Sequence, residues 1–164
     1  VDLETGERLG PGETGEVWVK GPQLLEGYLQ DDGTCASPLD GDGFFHTGDI
    51  GFYDDNGIYY FTGRKKDLII KGGINISPDE IDEIIFKLDG VDEVATVGIP
   101  DPFLGEKIVS YVVPKSNSKI SIESIKEHCE NFLSASKFPD IVKIIQKMPK
   151  GPSGKILRKV LREK

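Results

Sequence analysis

The sequence predicts an α+β fold: a small antiparallel β unit followed by a compact domain in which strands and helices alternate. Three observations carry this reading. Two apolar, strand-like runs, EVWVKG (Glu16 to Gly21) and GIYYFTG (Gly57 to Gly63), lie in the first part, the second entered through Asp54-Asp55-Asn56-Gly57. Asn-Gly between apolar runs is a strong hairpin signal because both residues tolerate positive φ. From Asp67 onward the pattern becomes β-α-β-β-α-β-α, which reads as an α+β sandwich. The charge also changes sign near Arg64. Residues 1–63 carry 13 acidic and 2 basic side chains, net −11, whereas residues 64–164 carry 15 and 18, net +3. These shifts divide the chain into 1–63 and 64–164.

The elements of the second part follow in order. DLII (Asp67 to Ile70) is a short strand, and GGINIS reads as the turn after it. Ser77-Pro78-Asp79-Glu80 has the form of a capping box with proline at the first helical position. Ile81, Ile84, Ile85 and Leu88 then mark one helix face, which ends at Gly90. VATVGI and KIVSYVVP are strands separated by PDPFLGE. Ser121 caps a helix over Ile122 to Leu133, and DIVKIIQ (Asp140 to Gln146) is a last strand. Ile156, Leu157, Val160 and Leu161 mark a final short helix.

Composition excludes several classes of function. With 37% hydrophobic and 29% charged residues, the 164-residue chain is an ordinary globular sequence, with no run long and apolar enough for a transmembrane segment. A cytoplasmic location is expected. The turn-rich opening VDLETGERLGPGETGE, without an initiator methionine, suggests a piece of a longer protein. Cys35 and Cys129, and His46 and His128, stand at no metal-ligand spacing, so no metal site is expected from them. Cys129 continues the apolar stripe of its helix and reads as a core thiol. DGDGFFHTGD (Asp40 to Asp49) lacks the residues of a calcium loop at its fifth and twelfth positions. Lys137 to Lys164 holds 9 basic and 2 acidic residues, which suits an anionic ligand. Without interleaved aromatics from Lys143 onward it does not suit nucleic acid.

Within that basic stretch, Lys150 to Lys159 reads KGPSGKILRK. A nucleotide-cradling loop needs G-x-x-x-x-G-K-[ST]. Here Pro149 and Ile156 occupy the first glycine and the hydroxyl positions. Lys155 therefore sits on a glycine-flanked turn that cannot hold a nucleotide by itself.

Five motifs stand in fixed order: GEVWVKGPQLLEGYL (Gly15 to Leu29), FHTGD (Phe45 to Asp49), GRKKDLIIKGGINISPDEID (Gly63 to Asp82), VGIPDPFLGE (Val97 to Glu106) and PKGPSGKILRKVL (Pro149 to Leu161). Together they resemble the C-terminal portion of the adenylate-forming acyl-CoA synthetase superfamily, which includes acid-CoA ligases, luciferase-like enzymes and adenylation domains. The resemblance covers nearly the whole chain and is nearest to fatty-acid and related acid-CoA ligases. It implies that residues 1–63 are the end of a large AMP-binding domain and 64–164 a mobile lid domain. The upstream N-terminal domain of the same protein would then be a partner.

The implied reaction joins a carboxylic acid to ATP, giving acyl-adenylate and pyrophosphate, and then to CoA, releasing AMP. Mg²⁺ is expected with ATP but not liganded by this chain. The resemblance assigns Lys155 as the catalytic cation, Asp49 and Arg64 to the nucleotide ribose, and Lys66 to the hinge. It assigns the loop at Lys71, Gly72 and Gly73 to the CoA tunnel and leaves His46 to packing. Taken singly, Asp49 also fits an Asx-turn cap, Arg64 an edge-strand arginine and Lys155 a surface lysine. Two other functions are compatible with the same fold: transfer to a carrier-protein thiol in place of CoA, and a non-catalytic interaction module.

Overall fold

The computed structural model describes residues 1–163. The chain divides into two compact units, Val1–Lys66 and one beginning at Asp67. The division falls three residues later than the charge break suggests. The reason is local: the last strand of the first unit runs through Arg64, and Lys65 is ion-paired to Glu16 in the same unit.

The first unit is built on three strands, β1 (Gly15–Val19), β4 (Phe45–Tyr53) and β5 (Tyr59–Arg64), in the antiparallel order β1-β4-β5. Between β1 and β4 lies a two-stranded ribbon, β2 (Tyr28–Leu29) with β3 (Cys35–Ala36). The turn joining β4 to β5 differs from the expectation. Gly57 alone has positive φ, at 78°, while Asn56 does not. Asp54 takes over the role, its Oδ1 accepting the N–H groups of Asn56 and Ile58, each at 2.9 Å. An Asx turn with one left-handed glycine thus replaces the two-residue hairpin turn.

The second unit centres on a five-stranded sheet. Its longest pair is β8 (Val91–Asp101) with β9 (Gly105–Pro114), antiparallel along their whole length. On its other edge β9 meets β10 (Ile141–Ile144) in parallel and, at Gly105, β6 (Ile69–Lys71). β7 (Ile74–Ile76) extends the sheet beyond β6. Helices α1 (Pro78–Phe86) and α2 (Ile122–Phe132) flank it, and α3 (Arg158–Arg162) closes the described chain.

Alternation along β9 explains why its sequence is nearly continuous in apolar residues. Ile108 and Val112 face one core with Ile81, Ile85, Ile125 and Cys129. Val109, Tyr111 and Val113 face a second core with Ala95, Val97, Met148 and Leu161. A strand covered on both faces has no solvent side to make polar. The exceptions are Thr96 and Ser110, directly opposed and fully buried, whose hydroxyls satisfy each other at 2.7 Å.

Three local expectations need correction. GGINIS is a strand after a tight turn, because Ile76 is buried and pairs with Ile69. Ser77 is the N-cap of α1, with Pro78 following, but its side chain makes no capping bond, so the capping box is not formed. Glu80 instead accepts from Lys137 at 2.7 and 2.8 Å. The segment PDPFLGE shrinks to Pro102–Leu104, because Asp101 Oδ1 accepts the N–H groups of Phe103 and Leu104 and Gly105 turns at φ 78°. Ser121 does cap α2, in a reciprocal pair with Ser124. Among the described residues no helix is long and apolar enough to cross a membrane.

Ile85, fully buried between α1 and the sheet, tests the larger core. Ile85→Ala should lower the unfolding free energy by about 2–5 kcal/mol in urea titration. A loss below about 1 kcal/mol would show that α1 is not packed as described.

Candidate functional site

The residues picked out by the sequence fall into a strand-pair group in the first unit and two turns in the second. In the first group Asp49 on β4 lies directly opposite Arg64 on β5, and Arg64 Nε contacts Asp49 Oδ1 at 2.8 Å. Arg64 Nη1 also donates to the carbonyl of Thr47 at 3.4 Å. The carboxylate of Asp49 is therefore no Asx-turn cap. The local turn is made by Thr47, whose Oγ1 accepts the Asp49 N–H at 3.0 Å and donates to the Val17 carbonyl at 2.7 Å. Gly48, at φ 70°, gives the bend that turns Asp49 toward Arg64. A carboxylate and a guanidinium paired across two neighbouring strands offer acceptors and donors side by side, the complement of a vicinal diol.

Under this pair lies a residue that sequence reasoning missed. Glu16 is only 5% exposed. Its Oε1 accepts the N–H of Gly48 at 3.2 Å and its Oε2 accepts from Lys65 Nζ at 2.8 Å. Burial opposes its ionisation, but the Lys65 ammonium and the surrounding hydrogen bonds outweigh burial and hold the carboxyl below its ordinary value of 4.5. Glu16 thus fixes the residue before Asp49 and the residue after Arg64 together. The only trace of this in the sequence is a glutamate opening an otherwise apolar strand. His46, expected to serve packing, stacks on Trp18 at 3.7 Å and bonds to Asp40 at 2.8 Å.

In the second unit, Lys71, Gly72 and Gly73 form the β6–β7 hairpin. Both glycines have positive φ, 58° and 80°, as a two-residue turn between Lys71 and Ile74 requires. A Cβ on either would meet nothing within 4 Å, so torsion and not crowding within this chain demands glycine here. Lys71 is already engaged: its Nζ contacts Asp140 Oδ1 at 2.6 Å, and Asp140 Oδ2 accepts the Ile108 N–H at 2.7 Å.

The turn carrying Lys155 is rigidly held. Lys150 and Ile156 form an antiparallel bridge, the Gly151 N–H donates to the Lys155 carbonyl, and the Gly154 N–H donates to Gly151, both at 2.9 Å. Gly154 supplies the left-handed residue at φ 79°. Lys150 pairs with Glu93 at 2.5 Å. Arg158 reaches Asp79 and Asp82 of α1 at 2.5 and 2.7 Å. Burial works against the Arg158 charge, but Asp82 and Asp79 outweigh it and hold its pKa above the ordinary arginine value. Lys155 itself is exposed and its ammonium has no partner among the described residues. Arg158, three residues on, is the second group that sequence reasoning did not assign. Among the described residues no cluster of three or more His, Cys, Asp or Glu side chains is placed to hold a metal ion.

Residues 80–155, which take in most of α1, the β8–β9 pair and Lys155, match the AMP-binding enzyme C-terminal domain. Along nearly its whole length the chain resembles the C-terminal portion of adenylate-forming acyl-CoA ligases. It is 39% identical over 160 residues to a long-chain-fatty-acid–CoA ligase of Bacillus subtilis, covering 98% of this chain and 28% of that protein. Sulfoacetate–CoA ligase of Cupriavidus necator is also 39% identical, over 93% of this chain and 30% of its own length. Among solved structures, ATP-bound MatB from Rhodopseudomonas palustris aligns with a TM-score of 0.89 at 36% identity, over 99% of this chain and 32% of that one. The chain thus spans about a third of the length of these proteins.

Two outcomes follow. Glu16 has a depressed folded-state pKa, so its contribution to stability is complete above about 4.5 and declines as pH falls toward the folded value. Urea midpoints of the wild type should drop more steeply below that pH than those of Glu16→Gln; parallel curves would contradict the assignment. Cys129, pushed up to about 11 by burial, should resist a thiol reagent at pH 8 in the folded chain while exposed Cys35 reacts at once.

Proposed function

We propose that this chain forms the C-terminal part of an ATP-dependent acid-CoA ligase. The observation that carries the proposal is Lys155: an unpaired ammonium on a fixed turn, while its neighbours Lys150, Arg158 and Arg162 are each committed to carboxylates. Support comes from the ligases it resembles along nearly its whole length.

In the first step a carboxylate oxygen attacks the α-phosphorus of ATP, and the bond to pyrophosphate breaks. Two anions meet there. A cation that touches both the carboxylate and the phosphate oxygens lowers the barrier, and Lys155 takes that role. Asp49 accepts hydrogen bonds from the ribose hydroxyls and Arg64 steadies it. In the second step the CoA thiol attacks the acyl carbon and AMP leaves. Lys155 must then withdraw, which places the torsional change at Lys66 and brings the Gly72-Gly73 turn to the pantetheine path. Gly72 and Gly73 present bare backbone there, with no side chain to obstruct a thin thiol-bearing arm. Magnesium would accompany ATP as part of the substrate. The described residues offer no ligand cluster for it, and no step depends on one here.

A fatty acid or related carboxylic acid is the favoured substrate class, and a cytoplasmic location goes with it. Relatives equally identical to this chain are named for a long-chain fatty acid and for sulfoacetate, so similarity over this stretch does not by itself select the acid.

In the intact protein, pyrophosphate release should depend on a carboxylic acid. Lys155→Ala should slow it by about a hundredfold, on the order of 3 kcal/mol, while thioester formation from supplied acyl-adenylate changes far less. Equal loss in both steps, or none in the first, would reject the role of Lys155. Free CoA should serve as acceptor; reaction with a phosphopantetheinyl carrier protein alone would reject the ligase reading.

A further inference from the structure

The compact units part between Lys66 and Asp67, and the residues flanking Lys66 are each held by a charge of their own unit. On one side Lys65 Nζ is bound to Glu16 at 2.8 Å. Glu16 is nearly buried and also fixes the Gly48 N–H, so the grip extends into the β4–β5 ladder. On the other side Asp67 Oδ1 meets Arg162 Nη2 of α3 at 3.5 Å. The next turn of chain is locked by Ile69, which has no exposed surface. Lys65, Lys66 and Asp67 form one short 3₁₀ turn with no buried residue, so packing does not hold that turn itself.

We infer that Glu16 and Asp67 are the two halves of a clamp that confines the hinge to a single residue, Lys66. The clamp rests on the reading of Lys66 as the hinge; it adds which residues restrict the motion to that position. With Lys65 tied to Glu16, torsional change cannot spread back into β5 without breaking an ion pair whose acidic partner has little water to fall back on. With Asp67 tied to Arg162, it cannot spread forward toward β6 without dragging α3. The torsions lying between the two tied residues are φ and ψ of Lys66. A hinge of two torsions returns the second unit along the same path in each cycle, whereas a hinge of six would let it wander. Glu16 and Asp67 are positioning residues in this scheme; neither touches substrate.

Spin labels on Cys35, which is exposed, and on a cysteine placed at exposed Ser116 report the distance between the units in the complete chain, since buried Cys129 stays unlabelled. Glu16→Gln, Lys65→Met and Asp67→Asn should each widen the distance distribution by roughly a factor of two. Lys87→Met, which breaks the exposed Lys87–Glu83 pair within α1 and its C-cap, should leave it unchanged. Lys65→Met removes the same tie by changing its half-exposed partner, so it gives a second reading should Glu16→Gln fold poorly. Distributions in Glu16→Gln and Lys65→Met as narrow as in the wild type would overturn the clamp, as would equal widening in Lys87→Met. Lys66→Pro, which fixes φ, tests the hinge separately. If Lys66→Pro leaves the distribution unaltered, the hinge reading fails and the clamp with it; if it narrows the distribution while the clamp variants change nothing, the clamp alone fails.

Discussion

The ladder between β8 and β9, continuous from Val91–Pro114 to Asp101–Gly105, is the constraint on which the second unit depends. Both turns singled out in this unit are fastened to it. Glu93 on β8 holds Lys150 at the base of the Lys155 turn, and Tyr111 on β9 donates to the Leu161 carbonyl at 3.0 Å, holding the helix that follows. At the far end Gly105 pairs with Lys71, and the Gly72 N–H donates to Leu104 at 2.8 Å. The two turns assigned to successive reaction steps are thus mounted at opposite ends of one two-stranded beam. A long antiparallel pair covered on both faces is a stiff support, because bending it would open packed cores on either side.

The electrostatics follow a different rule. Exposed pairs such as Lys87–Glu83 and Lys115–Asp89 contribute little, of order 0.2–1 kcal/mol each. The pairs that shape the site have one partner with little access to water: Glu16, Lys71, Asp82 and Asp67. Losing the opposing charge at such a place costs far more than the pair contributes, because the remaining charge stays poorly solvated. These contacts therefore act less as glue than as registers that fix which backbone segment lies against which.

Much of the architecture was legible in the sequence because it rests on short-range patterns. The 3.6-residue spacing of Ile81, Ile84 and Ile85 and the proline at the start of α1 mark that helix directly. The serine before α2 does the same there. Local chemistry misled where two local solutions compete. Asp54 supplied a turn that Asn56 was expected to make, and Glu80 turned outward to Lys137 instead of back to the N-cap. At the candidate site, Asp49, Arg64 and Lys155 were picked out through their motifs. Glu16 and Arg158 were not, because their significance lies in partners 49 and 76 to 79 residues away. A carboxylate opening a strand carries no sign of the lysine it will meet.

The hydroxyl pair of Thr96 and Ser110 has a consequence for how this sheet can change over time. Each side chain is the other's hydrogen-bonding partner in a place without water. Replacing one by an apolar residue strands a polar group in the core, whereas replacing both leaves only the hydrogen bond that Thr96 lends the Asp82 carboxyl to be made good. The two positions form a single unit of inheritance: a lineage crosses from the polar to the apolar version through an unfavourable intermediate, and the strand register of β8 on β9 stays marked for as long as it does not.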